Sequence, residues 1–224
     1  MNARIPVFDT ALETQYVAGR GAADGGPVLV LLAGAYDRPA DFVAAGFVEA
    51  LHASGRALDL VLVTSDLAAV CDGSLAARVH TGLVHPLLAA GRRVLTGGIS
   101  IGALTALMHA DLHPGASAGL VLLAPYPGNR TVTREIAAHG LAHWPAAADY
   151  ALNDERRGWR ALQTLAATGA PPLWLGYGED DRFAPGHALM AAALPAEAQC
   201  RVPGGHDWPT WRALWQRWLS APET

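Results

Sequence analysis

The chain has 224 residues, 51 % of them hydrophobic. This suffices for one α/β domain, because a chain of this length buries about 70 to 75 % of its unfolded surface, but not for two catalytic domains. The formal net charge is −4 with no basic stripe, so nucleic acid is not an expected partner. All 16 basic residues are arginine, which excludes mechanisms that need lysine, such as Schiff-base formation, a Ser-Lys dyad or a P-loop.

Neither a disulfide framework nor a membrane segment is indicated. The two cysteines, Cys71 and Cys200, lie far apart in the sequence, which favours reduced thiols. Residues 1–15 contain no apolar run of signal-peptide length after a basic start. No segment has 18 apolar residues without a break, so no membrane span is predicted. We expect a cytoplasmic protein without a cofactor; the oligomeric state stays open.

Short apolar runs alternate with longer helical patterns, which is typical of a parallel sheet covered by helices. Residues 5–8 and 14–18 are expected to form a short antiparallel pair. Further strands are predicted at 28–32, 58–63, 93–96, 120–123, 173–175 and 198–202. Helices are predicted at 39–54, 75–90, 101–109, 185–194 and 209–219. The glycines Gly97 and Gly98 are expected to end the strand 93–96.

Residues 126–160 fit this alternation least well, since they contain Trp144, Pro145, Tyr150 and several Arg and His residues. We interpret them as a small helical insertion, or cap, within a single domain that spans residues 1–224. Because the insertion leaves no room for a large lid, an open pocket and small or medium substrates are favoured.

The strongest functional signal is Gly-Ile-Ser-Ile-Gly at residues 98–102, which matches Gly-x-Ser-x-Gly between a predicted strand and a predicted helix. In this pattern the serine occupies a sharp, strained turn, and the flanking glycines have no Cβ that would collide with neighbouring backbone. The turn places the Ser100 hydroxyl at a helix N-terminus, where partial positive charge favours a developing oxyanion. Taken alone, the pattern is equally that of a glycine-rich turn that only allows close packing.

A serine hydroxyl is too weakly acidic to attack an ester at neutral pH, so it needs a base and an orienting acid. In this type of fold the chain order is Ser, acid, His. Asp180 and Asp181 follow the predicted strand 173–175, where the acid is expected. His206 follows the last predicted strand and is the expected base. The neighbouring Asp207 is interpreted as the cap of the last helix.

With these residues in place, the chain from about Val28 onward resembles the α/β-hydrolase superfamily. The resemblance implies an α/β-hydrolase fold, a mostly parallel central sheet with helices on both faces. Residues 181–185 are similar to the family's Asp-x-x-(Val/Ala)-Pro loop, whose Asp is the triad acid, and this favours Asp181 over Asp180. Residues 204–212 are similar to the Gly-Gly-His-Asp-Trp-x-x-Trp-Arg stretch of the esterase-D and enterochelin-esterase group. Where many members have His-Gly, this chain has Ala-Gly-Ala-Tyr at 33–36.

The site roles follow from the motif and the resemblance together. Ser100 attacks the acyl carbon, His206 takes its proton and later delivers it to the leaving group, and Asp181 accepts a hydrogen bond from the second ring nitrogen of His206. The backbone N–H of Ile101 is the first expected oxyanion donor. The second is expected from Ala35, with Tyr36 as the alternative.

Three further side chains are candidates for contact with substrate. Tyr36 follows the first core strand. Trp208 heads a helical stripe of tryptophans that is otherwise expected to pack against the sheet, and as the neighbour of the base it is a candidate pocket wall. Arg130 follows another strand, where a guanidinium can hold an anionic group, although a solvated helix face also explains it.

Two histidine pairs have the i, i+4 spacing of zinc ligands, His109 with His113 and His139 with His143. Neither pair has the Glu of His-Glu-x-x-His, so packing or surface roles are expected and no metal is predicted.

The expected function is hydrolysis of a small carboxylic ester or thioester through an acyl-enzyme. Acyl transfer to an alcohol uses the same three side chains and stays open. A non-catalytic binding protein, or another chemistry such as that of a lyase, is the further alternative, because fold does not determine function.

Overall fold

A computed structural model describes residues 8, 11–20 and 26–222. Seven strands in these ranges form one sheet in the order β1-β3-β2-β4-β5-β6-β7. The strands are β1 (Thr14–Val17), β2 (Val28–Leu32), β3 (Asp59–Val63), β4 (Val94–Ile99), β5 (Leu120–Leu123), β6 (Leu173–Gly178) and β7 (Gln199–Val202). The first strand runs antiparallel to β3, and all other neighbours are parallel. The predicted α/β class is therefore confirmed.

Helices separate the strands in the chain. They are α1 (Pro39–Ala44), α2 (Phe47–Ser54), α3 (Leu67–Cys71), α4 (Leu75–Val79), α5 (His85–Ala89), α6 (Ile101–Leu112), α7 (Arg130–His139), α8 (Arg156–Thr168), α9 (Ala184–Ala191) and α10 (Trp208–Ser220). A π-helical turn, His80–Val84, joins α4 to α5, and short 3-10 turns occupy Leu141–His143 and Ala196–Ala198. In the ranges that the structure covers, each helix is too short or too polar to cross a membrane.

The sheet is covered on both faces, because successive side chains of a strand point to opposite sides. Leu29 and Leu31 of β2 pack with residues of α1, α2 and α10, whereas Val28 and Val30 pack with residues of α4 and α5. Fully apolar strands are the expected consequence of this double cover. The tryptophan stripe of α10 belongs to the first core, as predicted, and the buried indole of Trp215 donates to the carbonyl of Phe47 at 3.0 Å.

The structure differs from two predicted elements, and glycines explain both differences. The predicted helix 39–54 is divided into α1 and α2, because Gly46 adopts φ +81° between them. The prediction that Gly97 and Gly98 end their strand is wrong, since β4 continues through both to Ile99. A Cβ on Gly97 would lie 2.3 Å from the carbonyl oxygen of Val121 in the adjacent strand. Gly97 therefore allows close packing within the sheet.

The N-terminal strand is present, and the pairing observed for it is with β3. This strand comprises Thr14–Val17. Of the predicted partner 5–8, residues 5–7 lie outside the described residues, and Phe8 belongs to no strand.

A buried ion pair links the starts of two strands that flank β2. Arg92 precedes β4, and its Nη2 lies 2.6 Å from Oδ2 of Asp59, the first residue of β3. Both side chains are less than a tenth exposed, and Arg92 Nε also donates to the Gly26 carbonyl at 2.6 Å. Each charge thus has a partner that compensates for its removal from water.

Candidate active site

Ser100 lies at the turn between β4 and α6. Its backbone has φ +54° and ψ −116°, a region that is strained for a residue with a side chain. A Cβ on Gly98 would lie 2.4 Å from the backbone carbon of Gly102, and one on Gly102 would lie 2.5 Å from the carbonyl oxygens of Leu32 and Ala33. The two glycines are therefore required for this turn and for its contact with the loop after β2.

The structure brings Ser100, Asp181 and His206 together, although His206 is 106 residues from Ser100 in the sequence. The ring atom Nε2 of His206 lies 2.9 Å from Ser100 Oγ, and Nδ1 lies 2.7 Å from Asp181 Oδ2. The three residues follow β4, β6 and β7 respectively. Carboxyl ends of parallel strands share one edge of a sheet, which is where such folds place their ligands.

The carboxylate that contacts His206 belongs to Asp181. Its side chain is fully buried, Oδ2 faces His206, and Oδ1 accepts the backbone N–H of Phe183 at 2.8 Å. Burial raises the pKa of Asp181, but the hydrogen bonds from His206 and Phe183 and the charges of nearby histidines outweigh it and leave the pKa below its ordinary value. The side chain of the alternative, Asp180, is exposed.

An ionised Asp181 determines the protonation pattern of the imidazole. A carboxylate without a proton can only accept, so Nδ1 of His206 must carry the hydrogen. The lone pair of Nε2 then faces the Ser100 hydroxyl. This is the arrangement in which an imidazole can take a proton from a serine.

Two aromatic rings pack against the imidazole of His206. Phe183 and Trp211 each meet the His206 ring edge to face, with centroids 5.0 and 5.1 Å away. Trp211 was predicted only as a core residue, and Phe183 was not singled out. Its place within the Asp-x-x-Ala-Pro loop was the available signal, since that loop carries the acid.

The loop after β2 lies beside the serine turn. Its start is anchored by Ser65, whose hydroxyl donates to the Ala33 carbonyl at 2.6 Å. A turn follows in which the N–H of Asp37 donates to the Gly34 carbonyl at 3.3 Å. Ala35 and Tyr36 form the tip of this turn, and Tyr36 has φ +68° with 87 % of its side chain exposed. The amides of Ala35 and Ile101 as oxyanion donors stay a prediction.

The other predicted pocket residues have different surroundings. Trp208 is half-buried, with its ring 5.4 Å from Phe42 and 5.7 Å from Phe47. Arg130 is exposed in the first turn of α7, and the contacts found for the triad side chains do not include it. A substrate contact by Arg130 therefore stays a prediction. The cap role of Asp207 is confirmed, since its Oδ1 accepts the N–H of Thr210 at 3.0 Å.

His187, which sequence reasoning missed, lies beneath the acid. It is fully buried in α9, and its Nε2 lies 2.8 Å from the carbonyl oxygen of Pro125 at the end of β5. Burial lowers the pKa of His187, so a neutral ring that donates to Pro125 fits the site. This bond ties the helix that follows Asp181 to the adjacent strand end.

The histidine pairs with the spacing of zinc ligands are not part of a cluster of described residues that could hold a metal ion. Across residues 8, 11–20 and 26–222, no group of three or more His, Cys, Asp or Glu side chains could hold a metal ion. His109 and His113 instead pack with His80, whose Nδ1 lies 3.2 Å from His109 Nε2. Burial, together with the charges of His113 and His80, lowers the pKa of His109 to about 3.

A cavity of about 400 Å³ lies away from the triad. Its lining includes Leu120 and Leu173, which begin β5 and β6, and Trp218 near the end of α10. It therefore lies at the amino edge of the parallel strands, opposite the contacts among Ser100, His206 and Asp181.

Solved esterase structures share this architecture. A ferulic acid esterase superposes with a TM-score of 0.62 at 15 % identity, over 95 % of this chain and 97 % of that chain. The S-formylglutathione hydrolase FrmB from Staphylococcus aureus gives 0.59 at 12 % identity, over 96 % and 98 % of the two chains. FphF, a fluorophosphonate-binding serine hydrolase of Staphylococcus aureus, gives 0.62 at 13 % identity, over 92 % and 90 %. No protein-family model and no curated protein matches the sequence.

These similarities extend over nearly the whole length of each chain. Together with the mostly parallel sheet, they confirm the predicted α/β-hydrolase fold. At identities this low the likeness concerns the fold, so the chemistry has to be argued from the side chains themselves.

Proposed function

We propose that the protein is a serine hydrolase that cleaves carboxylic ester or thioester bonds through an acyl-enzyme. The observation that carries this proposal is the continuous chain of contacts from Asp181 through His206 to Ser100, at 2.7 and 2.9 Å. These distances are within the hydrogen-bond reach that a nucleophile and its base require. The serine also occupies a strained turn, a conformation that persists only where the surrounding structure enforces it.

In the first half of the reaction, Nε2 of His206 takes the Ser100 proton as Oγ forms a bond to the acyl carbon. The carbonyl π electrons move to oxygen, and the imidazolium is stabilised by Asp181. Collapse of this intermediate breaks the bond to the leaving group, which receives the proton from Nε2. In the second half, water gives a proton to Nε2 as its oxygen attacks the acyl carbon. The bond from that carbon to Oγ then breaks, Nε2 returns the proton to Oγ, and the carboxylic acid leaves free Ser100 behind.

Oxyanion stabilisation is assigned to backbone donors. The N–H of Ile101 opens α6, and the first N–H groups of a helix have no carbonyl partner within it. The second donor is assigned to Ala35, with Tyr36 as the alternative, because their loop contacts the serine turn at Gly102. Loss of one such donor typically lowers turnover by about two to three orders of magnitude.

The proposal includes the organisation around the site. Residues 1–224 act as one α/β-hydrolase domain, and the segment 126–160, which contains α7 and the start of α8, serves as a small cap. The same proposal includes small or medium acyl substrates, catalysis without a cofactor and a cytoplasmic location. Cell fractionation followed by activity measurement tests the location.

The deciding experiment is fluorophosphonate labelling combined with ester turnover. We expect the probe to modify Ser100, and the Ser100→Ala variant to lose both labelling and hydrolysis of short p-nitrophenyl esters while it keeps the wild-type thermal unfolding curve. A folded wild-type protein that is neither labelled nor active would favour the non-catalytic binding protein. Assays with added alcohol separate hydrolysis from acyl transfer, because transfer forms the new ester at the expense of free acid.

A further inference from the structure

Asp37, on the loop after β2, directs its carboxylate back toward the serine turn. A Cβ placed on Gly34 would lie 2.6 Å from Asp37 Oδ2 and 3.9 Å from Cγ2 of Ile99, the residue before the nucleophile. The carboxylate thus covers Gly34 on the side that faces the turn. Its residue is only half-exposed, although the neighbours Tyr36 and Arg38 are exposed.

The groups around Asp37 provide little positive charge. The next residue, Arg38, pairs with Glu13 at 2.9 Å, and the ion pairs formed by described residues do not include Asp37. Burial and the negative charge of Asp41 raise the pKa of Asp37 above its ordinary value, while the nearby Trp208 side chain and the charge of His206 oppose the rise. The carboxylate is therefore within electrostatic range of the proposed base.

Asp37 is partly buried and forms no ion pair with an arginine of the described ranges, so a cation that joins its carboxylate would offset part of the loss of water around it. Because its loop borders the serine turn, the carboxylate also disfavours the negative charge that develops on the substrate oxygen. A positive charge on the substrate reduces both penalties. Trp208 and the exposed Tyr36 are aromatic neighbours of the kind that bind ammonium groups through cation–π contacts.

We infer that Asp37 is a specificity-determining residue, and that the preferred substrates are esters or thioesters that carry an ammonium group close to the scissile bond. This inference rests on the proposed hydrolase function and adds a substrate class to it. A preference for cationic substrates is opposite to the preference for anionic substrates that a contact by Arg130 would produce.

Matched pairs of esters test the inference on each side of the scissile bond. Choline butyrate and 3,3-dimethylbutyl butyrate have the same shape but differ in the charge of the alcohol part. Ethyl 4-(trimethylammonio)butyrate and ethyl 5,5-dimethylhexanoate differ in the same way in the acyl part. Titration of the released acid gives kcat/KM for each ester. The quantity compared is the ratio of kcat/KM for the charged ester to that for its neutral partner.

The Asp37→Asn variant removes the charge but keeps the size and one acceptor oxygen. We expect this variant to lower the ratio by about fivefold or more, because a half-buried ion pair contributes more binding free energy than a solvent-exposed one. Asp37→Glu is expected to recover part of the ratio. Glu197→Gln is the control, because it makes the same change in net charge at an exposed residue beside the start of β7, at the opposite edge of the sheet.

The outcomes separate the two proposals. A wild-type ratio near one for both pairs, or a ratio that Asp37→Asn leaves unchanged, overturns the inference about Asp37. Equal losses on charged and neutral esters would assign Asp37 a purely structural role and overturn it as well. The hydrolase proposal fails only if wild-type protein hydrolyses none of the four esters and a fluorophosphonate does not label Ser100.

Discussion

The substitution Asp181→Asn tests the site most sharply, because the structure requires two acceptors of this side chain. Oδ1 accepts the N–H of Phe183 at 2.8 Å and Oδ2 accepts Nδ1–H of His206 at 2.7 Å. Asparagine offers one acceptor oxygen and one NH₂ group. If its oxygen stays on Phe183, the NH₂ group faces Nδ1, which must then be the acceptor. The ring proton moves to Nε2, and His206 can no longer receive the proton of Ser100.

The opposite amide orientation is also unfavourable, since it places NH₂ against the Phe183 N–H in a site closed to water. Leaving such a buried donor without a partner costs about 1 to 3 kcal/mol. The variant therefore adopts the wrong tautomer, for which a loss of about 10⁴ in kcat is expected. This corresponds to about 5 kcal/mol in the activation barrier.

The assay compares Asp181→Asn with Asp180→Asn, which changes the same charge at the exposed neighbouring residue. Rates of p-nitrophenyl ester hydrolysis and of fluorophosphonate labelling are measured for both, alongside thermal unfolding. We expect the loss only at residue 181, and a rate within twofold of wild type for Asp180→Asn. A folded Asp181→Asn protein with near-wild-type rates, or a larger loss in Asp180→Asn, would refute the assigned geometry.

Three further predictions concern stability, measured by urea unfolding. Gly102→Ala should destabilise the protein by at least ~2 kcal/mol, because the new methyl group would lie 2.5 Å from two carbonyl oxygens; unchanged stability contradicts the packing described for the turn. Arg92→Met should cost about 3 to 5 kcal/mol, since it leaves the Asp59 charge buried without a cation, and Arg92→Met combined with Asp59→Asn should recover part of that loss. The free energy of unfolding should fall as the pH drops from 6.5 to about 3, because His109 takes up its proton in the unfolded chain at a higher pH than in the folded protein. The His109→Gln variant should show a smaller dependence of stability on pH. An equal dependence in both proteins would contradict the lowered pKa of His109.

The sequence supported prediction of the strands and of the serine turn, because these depend on local patterns. Val28–Leu32 is apolar throughout since both faces are covered, and Gly98 and Gly102 mark a turn that other residues would obstruct. Where several conformations are locally acceptable, prediction was less successful. Gly97 is compatible with either a strand end or a strand interior, and only the carbonyl of Val121 beside it decides between them.

Residues whose importance arises from distant partners could not be found in this way. His187 is one of nine histidines in the chain, and nothing in its neighbourhood along the sequence indicates the carbonyl of Pro125. Asp37 likewise follows an ordinary turn sequence. Its relation to His206 and Trp208 exists only because the loops after β2 and β7 meet at the same edge of the sheet.

The sequence by itself therefore determined which reactive groups are present and in what order. They are a serine in a glycine-flanked turn, an aspartate pair and a histidine near the C-terminal end, in the order that such a site requires. The motif resemblance favoured Asp181 over Asp180, and the tertiary structure places the Asp181 carboxylate against the imidazole. Only the tertiary structure identified the rings that pack against that imidazole and the position of the Asp37 carboxylate beside Gly34. Hydrogen bonds, burial and charge pairing act over a few ångströms in space, and the groups concerned are as much as 106 residues apart along the chain.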